Sequence, residues 1–149
     1  MEKPLLKIEL LPGNDDLGLP TYATEGAAGL DLKASLGEPV LLKPGERGII
    51  PTGLKMEIPP GFEGCVRPRS GLAMKQGLTL TNAPGTIDSD YRGEVKVLVI
   101  NLGQETVTLK RGDRIAQLLI SPVAHAKIVQ VEKVEETIRG AGGFGHTGI

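Results

Sequence analysis

The 149-residue sequence predicts an all-β domain, a sandwich, jelly roll or barrel, on three observations. Short apolar runs recur along the chain, each bounded by a Pro-Gly, Asn-Ala-Pro-Gly, Leu-Gly or Arg-Gly-Asp turn. The 21 glycines and 11 prolines are spread among those runs rather than gathered into a disordered tract. Only one segment, 70–76, offers a helical turn, with Ser70 as its N-cap.

The expected strands follow in order. Segment 5–11 opens the chain ahead of Pro12-Gly13, and 29–34 follows Gly26. Segments 40–42 and 47–50 flank Pro44-Gly45, and 54–58 ends before Pro59-Pro60-Gly61. Then come 64–67, 78–81 and the strongly apolar 94–101. Segments 106–109 and 114–121 flank Arg111-Gly112-Asp113, and 126–134 is the last. A weak internal echo links Leu42-Lys43-Pro44-Gly45-Glu46-Arg47 to Leu109-Lys110-Arg111-Gly112-Asp113-Arg114, as equivalent hairpins in two halves of a β-fold would.

Net charge is −1, so no global field draws nucleic acid or an anionic membrane. An anionic ligand must be met by local cations, among them Arg67, Arg69, Arg92, Arg111, Arg114 and Arg139. A single cysteine, Cys65, excludes an internal disulfide framework and fits a reducing compartment. No apolar run approaches about 18 residues and no signal-like segment opens the chain, so a soluble cytoplasmic protein is expected. Tyr22, Phe62, Tyr91 and Phe144 are the only aromatics, which leaves the core to Leu, Ile, Val and Ala.

The chemistry concentrates in Gly85-Thr86-Ile87-Asp88-Ser89-Asp90-Tyr91-Arg92-Gly93, ahead of the apolar 95–100. If extended backbone begins by Asp88, then Asp88 and Asp90 share one face and Ser89 and Tyr91 the other. Two close carboxylates need a metal, a cation such as Arg92, or a shared proton, and one of them can then serve as a base toward water. Pro68-Arg69-Ser70-Gly71 joins a guanidinium, a hydroxyl and backbone N–H groups at a helix start, apparatus for phosphate oxygens. Asn82 offers an amide donor and acceptor beside Pro84-Gly85, suited to the edge of a pyrimidine. The tail carries five glycines after position 139, so its backbone is costly to order alone, yet Arg139, Phe144 and Thr147 equip it to grip an anion and stack on a planar ligand.

Other motifs fail. Gly140-x-Gly142-x-x-Gly145 has no helix after it, and Asp88-x-Asp90 has Arg92 and Val99 where a calcium loop needs oxygen ligands. No P-loop, HExxH, paired-cysteine zinc site or nucleophile elbow is present.

Five ordered segments together resemble the motifs of the homotrimeric deoxyuridine triphosphatase (dUTPase) family: 28–34, 68–73, 82–93, 112–117 and 139–148, so the likeness spans nearly the whole chain. The resemblance implies a β jelly roll over residues 1–135 and a flexible Gly-rich arm over 136–149 that closes a neighbouring subunit's site. It implies a homotrimer with three shared sites, and hydrolysis of Mg²⁺-bound dUTP to dUMP and pyrophosphate by water attacking the α-phosphorus. Such an activity lowers dUTP, keeps uracil out of DNA and supplies dUMP for thymidylate synthesis.

Carried over by residue, Asp88 activates the water and Tyr91 packs beneath deoxyribose. Asn82, the backbone of Gly85, Thr86 and Ile87, and Lys96 receive deoxyuridine. Arg69, Ser70, Gly71 and Gln117 contact phosphate oxygens, and Asp31 acts indirectly, through waters or neighbouring side chains, without binding the metal directly. Phe144 and Gly145 cap the uracil, while Arg139 and Thr147 hold the terminal phosphate. Asp90 has a structural role in the turn. His146 stands where the family's tail usually has serine, which implies arm closure with more pH dependence near about 6–7. Two alternatives stay open: a dCTP deaminase-type or bifunctional relative, and a nucleotide-binding trimer without turnover.

Overall fold

A computed structural model describes residues 3–148. In chain order its elements are β1 (Lys7–Leu10), β2 (Leu30–Lys33), β3 (Val40–Leu42), β4 (Arg47–Glu57), β5 (Phe62–Arg67), α1 (Ser70–Gln76), β6 (Leu78–Leu80), β7 (Gly85–Ile87), β8 (Glu94–Asn101), β9 (Val107–Leu109) and β10 (Arg114–Pro122). One sheet runs β1-β4-β8-β6 and a second β2-β10-β5-β7, while β3 and β9 form a separate ribbon. All registered pairs are antiparallel. The expected all-β jelly-roll class with one short helix is what the chain adopts.

Both sheets and the ribbon contribute to one apolar cluster that includes Leu32, Ile50, Val97, Val99, Val107, Ile115 and Leu118. None of its buried members is aromatic, as the composition requires. In β8 the period of two is clear: Val95, Val97 and Val99 are buried, while Lys96 and Leu98 face outward. Among the described residues Asn101 is the one fully buried polar residue, and both its side-chain polar atoms are bonded. Its Nδ2 donates to Leu42 O at 2.8 Å and Glu105 O at 2.7 Å, and its Oδ1 accepts from Gly103 N.

The internal echo corresponds to real geometry. β3 pairs with β9, and each runs into the same turn. Lys43 N donates to Glu46 Oε2 at 2.8 Å in one, and Lys110 N donates to Asp113 Oδ2 at 2.7 Å in the other. Gly45 and Gly112 both take left-handed φ, +83° and +85°, which is why glycine recurs there.

Four elements differ from expectation. Segments 47–50 and 54–58 belong to one strand, β4, whose register slips between Pro51 and Lys55 against β8. Proline donates nothing to the ladder, so a bulge, not a chain break, absorbs it. β7 is a three-residue strand against β5 that its short, Gly-led sequence does not announce. Ser70 is the first helical residue and not the N-cap: Arg69 holds that position with extended backbone and no side-chain capping bond forms. Segment 126–134 is not a strand, because no edge within the chain pairs with it. Ile128, Val129, Val131 and Val134 lie exposed along it. No helix among the described residues is long and apolar enough to cross a membrane.

Candidate active site

Residues 81–84 carry the chain from β6 in the first sheet to β7 in the second, anchored by Thr81 N donating to Leu98 O at 3.0 Å. After β7 the backbone turns: Tyr91 N donates to Asp88 O at 3.1 Å, and extended structure resumes only at Glu94. The condition under which Asp88 and Asp90 would share a face, extended backbone from Asp88, is therefore not met, and the segment is a turn. Arg92 Nη1 spends its donors on that turn, bonding Ser89 O at 2.7 Å and Tyr91 O at 3.0 Å. It does not bridge the two acids, and among the described residues no cation pairs with Asp88 or Asp90.

Here a hollow of about 310 Å³ opens on the outer face of β8, lined by Asn82, Thr86, Ile87, Asp88, Tyr91 and Lys96. Glu94, Val95 and Leu98 complete its wall, and nothing in the sequence around them marks them as site residues. Glu94 ties the hollow to β4: its Oε1 accepts from Gly53 N at 3.0 Å, and its Oε2 lies 4.0 Å from Lys96 Nζ. The Asn82 amide rests against Gly85, where a Cβ would meet Nδ2 at 2.9 Å. Asp90 faces a different hollow on the reverse side, with Ser89, Glu63 and His125, and Asp88 lies on the rim between the two.

A second hollow of about 310 Å³ forms where β2, β10 and the β5–α1 junction meet. Registers place Gln117 opposite both Asp31 and Arg67, so Asp31 and the Pro68–Gly71 turn flank one strand position. Asp31 Oδ1 lies 3.4 Å from Arg69 Nε, and its Oδ2 accepts from Arg114 Nη1 at 3.2 Å. Arg69 Nη1 also donates to Arg114 O at 3.1 Å, and Gln117 Nε2 to Pro68 O at 3.0 Å. Gly29 packs behind them: a Cβ there would stand 2.7 Å from Gln117 Oε1 and displace that side chain from its bond to Pro68. One carboxylate against two guanidiniums leaves a surplus of positive charge beside the Ser70 hydroxyl and the Gly71 backbone. This is suited to a polyanion.

The arm forms a third group. Arg139 Nε donates to Gly142 O at 2.8 Å, Gly142 N returns a bond to Arg139 O at 3.1 Å, and the His146 imidazole lies across Gly142. Phe144 is fully exposed at φ +51°, with Gly145 and Thr147 exposed beside it. No arm residue lines either hollow, and the two hollows share no residue. The chain thus brings Asn82 through Lys96 together, and Asp31, Arg69, Ser70, Gly71 and Gln117 together, but keeps these two sets and the arm apart. Among the described residues no three His, Cys, Asp or Glu side chains converge to hold a metal ion.

The dUTPase family model matches residues 15–148. The deoxyuridine 5'-triphosphate nucleotidohydrolase of Thermoanaerobacter sp. (strain X514) is 57% identical over 145 residues, covering 97% of this chain and 98% of that protein. The protein of the same name from Anaeromyxobacter sp. (strain Fw109-5) is 64% identical over 132 residues, covering 89% of this chain and 88% of its own. The dUTPase of Staphylococcus bacteriophage 80alpha, solved with dUPNHPP, superposes with a TM-score of 0.87 at 28% identity, covering 97% of this chain and 99% of that one. A mutant dUTPase from phage phi11 of S. aureus, whose structure reveals coordination of a structural Mg(II) ion, superposes with a TM-score of 0.77 at 26% identity. It covers 87% of this chain and 97% of that one.

Proposed function

The chain belongs to the dUTPase family, and from that premise we propose that it is a dUTP diphosphatase, hydrolysing dUTP to dUMP and pyrophosphate. The observation that carries the residue-level reading is the separation of two complementary hollows. One has the amide, backbone edge and aromatic ring that suit a deoxyuridine, together with an unpaired carboxylate. The other has the guanidiniums, hydroxyl and N–H groups that suit a triphosphate. Neither is complete alone, so a working site takes Asn82, Asp88, Tyr91 and Lys96 from one subunit and Arg69, Ser70, Gly71 and Gln117 from another. A closed cyclic trimer satisfies that demand three times over. The exposed apolar segment 126–134 supports assembly too: an unpaired β-like run in water requires a partner.

In this reading the Asp88 carboxylate accepts a proton from water as the oxygen attacks the α-phosphorus. The bond to the bridging oxygen breaks and pyrophosphate leaves with that electron pair. Asn82 reads the uracil edge beside the Gly85–Ile87 backbone, and Tyr91 fills the space a 2′-hydroxyl would need. Arg69, the Ser70 hydroxyl and the Gly71 N–H fix the phosphate chain, each charge-assisted bond worth about 1.5–3 kcal/mol. The arm then folds over, with Phe144 on uracil and Arg139 and Thr147 at the terminal phosphate, excluding water other than the reacting molecule.

Mg²⁺ fits as an ion carried by the phosphates. Both Asp31 oxygens face guanidiniums, and among the described residues no cluster of protein ligands converges. When bound, the ion neutralises phosphate charge. The lone cysteine, Cys65, is buried and unpaired, which supports a reducing cytoplasm as the site of action.

A panel of nucleoside triphosphates with Mg²⁺, monitored separately for pyrophosphate, orthophosphate and ammonia, tests the proposal. Pyrophosphate from dUTP alone is expected. Ammonia from dCTP would instead establish a deaminase, and binding without any product a nucleotide-binding trimer.

A further inference from the structure

Glu94 stands in the wall of the hollow proposed for deoxyuridine without a role in the proposed chemistry, yet it meets three separate parts of the chain there. We propose that Glu94 is a positioning residue for sugar selection: its carboxylate fastens the start of β8 to β4, and its carbonyl thereby holds the Tyr91 ring where a 2′-hydroxyl would have to go. This deepens the dUTP diphosphatase reading and rests on it.

The anchor comes from the slip in β4. Pro51 pairs with Lys96 and Lys55 with Glu94, so Thr52, Gly53 and Leu54 lie opposite the single residue Val95. Gly53 is buried and has a partner in neither register, since β1 joins β4 only from Leu54 onward. A buried N–H left out of the ladder needs another acceptor. Glu94 Oε1 takes it at 3.0 Å, a bond the carboxylate charge strengthens. Gly53 is itself held fast. Its φ is +69°, a Cβ there would run into the Asn14 side-chain amide, and its carbonyl accepts from Leu11 N at 2.8 Å. Beside it Thr52 Oγ1 donates to Val95 O at 2.6 Å, so two side-chain bonds tie β4 to β8 where the ladder is interrupted.

The other end of the relay is Tyr91. Val95 and Val97 turn into the core, so Glu94 and Lys96 share the outer face on which the hollow opens. Glu94 is the first residue of β8, and the Tyr91 hydroxyl, from the turn just before it, donates to Glu94 O at 3.0 Å. The outer end of the ring therefore hangs on a residue whose own side chain is fastened to β4. The second carboxylate oxygen lies 4.0 Å from Lys96 Nζ, and the lysine side chain is 52% exposed. A pair that long and that open holds little. The Gly53 bond, not the ion pair, is what fixes Glu94. In this arrangement a rigid glycine in β4 sets the height of an aromatic ring in a turn it does not touch, with Glu94 as the link.

The test is steady-state hydrolysis of dUTP, UTP and dCTP by the full-length wild type, Glu94→Gln and Glu94→Ala, each followed by pyrophosphate release. A ratio of two kcat/KM values taken on one preparation does not depend on how much of that preparation is folded. Glu94→Ala should lower the dUTP/UTP ratio about tenfold, because the ring loses its support. The dUTP/dCTP ratio should stay within about twofold, since Asn82 and the Gly85–Ile87 backbone read the base. Glu94→Gln should keep dUTP/UTP within about twofold of wild type, because its amide oxygen still accepts from Gly53 N although the charge is gone. An unchanged dUTP/UTP ratio in Glu94→Ala, an equal fall in both variants, or a parallel fall in dUTP/dCTP would overturn the assignment. Wild type releasing no pyrophosphate from dUTP would overturn the substrate reading itself.

Discussion

The Tyr91 ring lies on the backbone of Gly93: a Cβ built at position 93 would stand 2.5 Å from Tyr91 Cζ. Its hydroxyl meanwhile donates to Glu94 O at 3.0 Å. A residue without a side chain thus seats the one aromatic that lines the hollow beside Asn82 and Asp88, the ring proposed to pack on deoxyribose. Gly93→Ala must push the ring off its seat. The expected result is a fall in kcat/KM for dUTP of about 10- to 100-fold, because a displacement near 1 Å at a positioned group costs that much. UTP should be discriminated less strongly than before. Steady-state kinetics on both nucleotides check this, and an unchanged dUTP/UTP ratio would remove Tyr91 from sugar selection.

Asp88 stands on the rim between two hollows with no cationic partner among the described residues. Asp88→Asn keeps shape and removes basicity. It should lower kcat by about 10²- to 10⁴-fold, the range for loss of a general base. Binding of a non-hydrolysable analogue should change by no more than a few-fold. Near-normal turnover would remove Asp88 from that role.

The arm touches neither hollow in the isolated chain. Deleting residues 140–149 should therefore abolish turnover while leaving melting temperature and oligomer size unchanged. The His146 imidazole covers Gly142 inside the turn that Arg139 closes. His146→Ser should change KM for dUTP while leaving the fold intact, because it replaces an imidazole donor by a hydroxyl. Unchanged steady-state kinetics would show that the imidazole does not reach the phosphates.

Stability should depend on one exposed fork. Arg111 Nε and Nη2 donate to the two Asp16 oxygens at 2.9 and 2.7 Å, and Nη2 also reaches Gly13 O at 2.7 Å. The hydrogen bonds from Arg111 hold the Asp16 carboxyl below its ordinary 3.8. A folded value lower than the unfolded one contributes stability above pH 3.8, lost as pH falls through the folded value. Asp16→Asn should therefore melt lower than wild type at pH 7, and the gap should close below pH 3.8. Melting curves across that range decide it. Lys7 lowers Glu57 in the same way, so the variant should keep part of its acid sensitivity.

Much of the fold was legible because its strands obey a period of two and are closed by Gly and Pro turns, as in β8, and because matching turns follow β3 and β9, although the pairing of those two strands with each other was not read from them. What was not legible depends on partners distant in sequence. β7 exists only against β5, and the two halves of β4 join only because β8 runs past both. Segment 126–134 has the composition of a strand and no ladder within its own chain. At the site, Asp88, Tyr91, Asn82 and Arg69 could be named from ordered motifs. Arg114 was named only as one of several local cations, and its aim comes from a bulge that the sequence does not announce. The acid pair expected in an extended segment was lost for a local reason: Arg92 closes a turn there instead.

The most direct measurement mixes two inactive subunits. Asp88→Asn spoils the hollow proposed for deoxyuridine and Arg69→Ala the one proposed for phosphate, each on its own chain. Co-refolded in equal amounts, they should form mixed trimers in which one site of three unites an intact Asp88 with an intact Arg69. Random assembly then restores about a quarter of wild-type activity. Mixed trimers confirmed by mass spectrometry that stay as inactive as either parent would contradict a site shared between subunits.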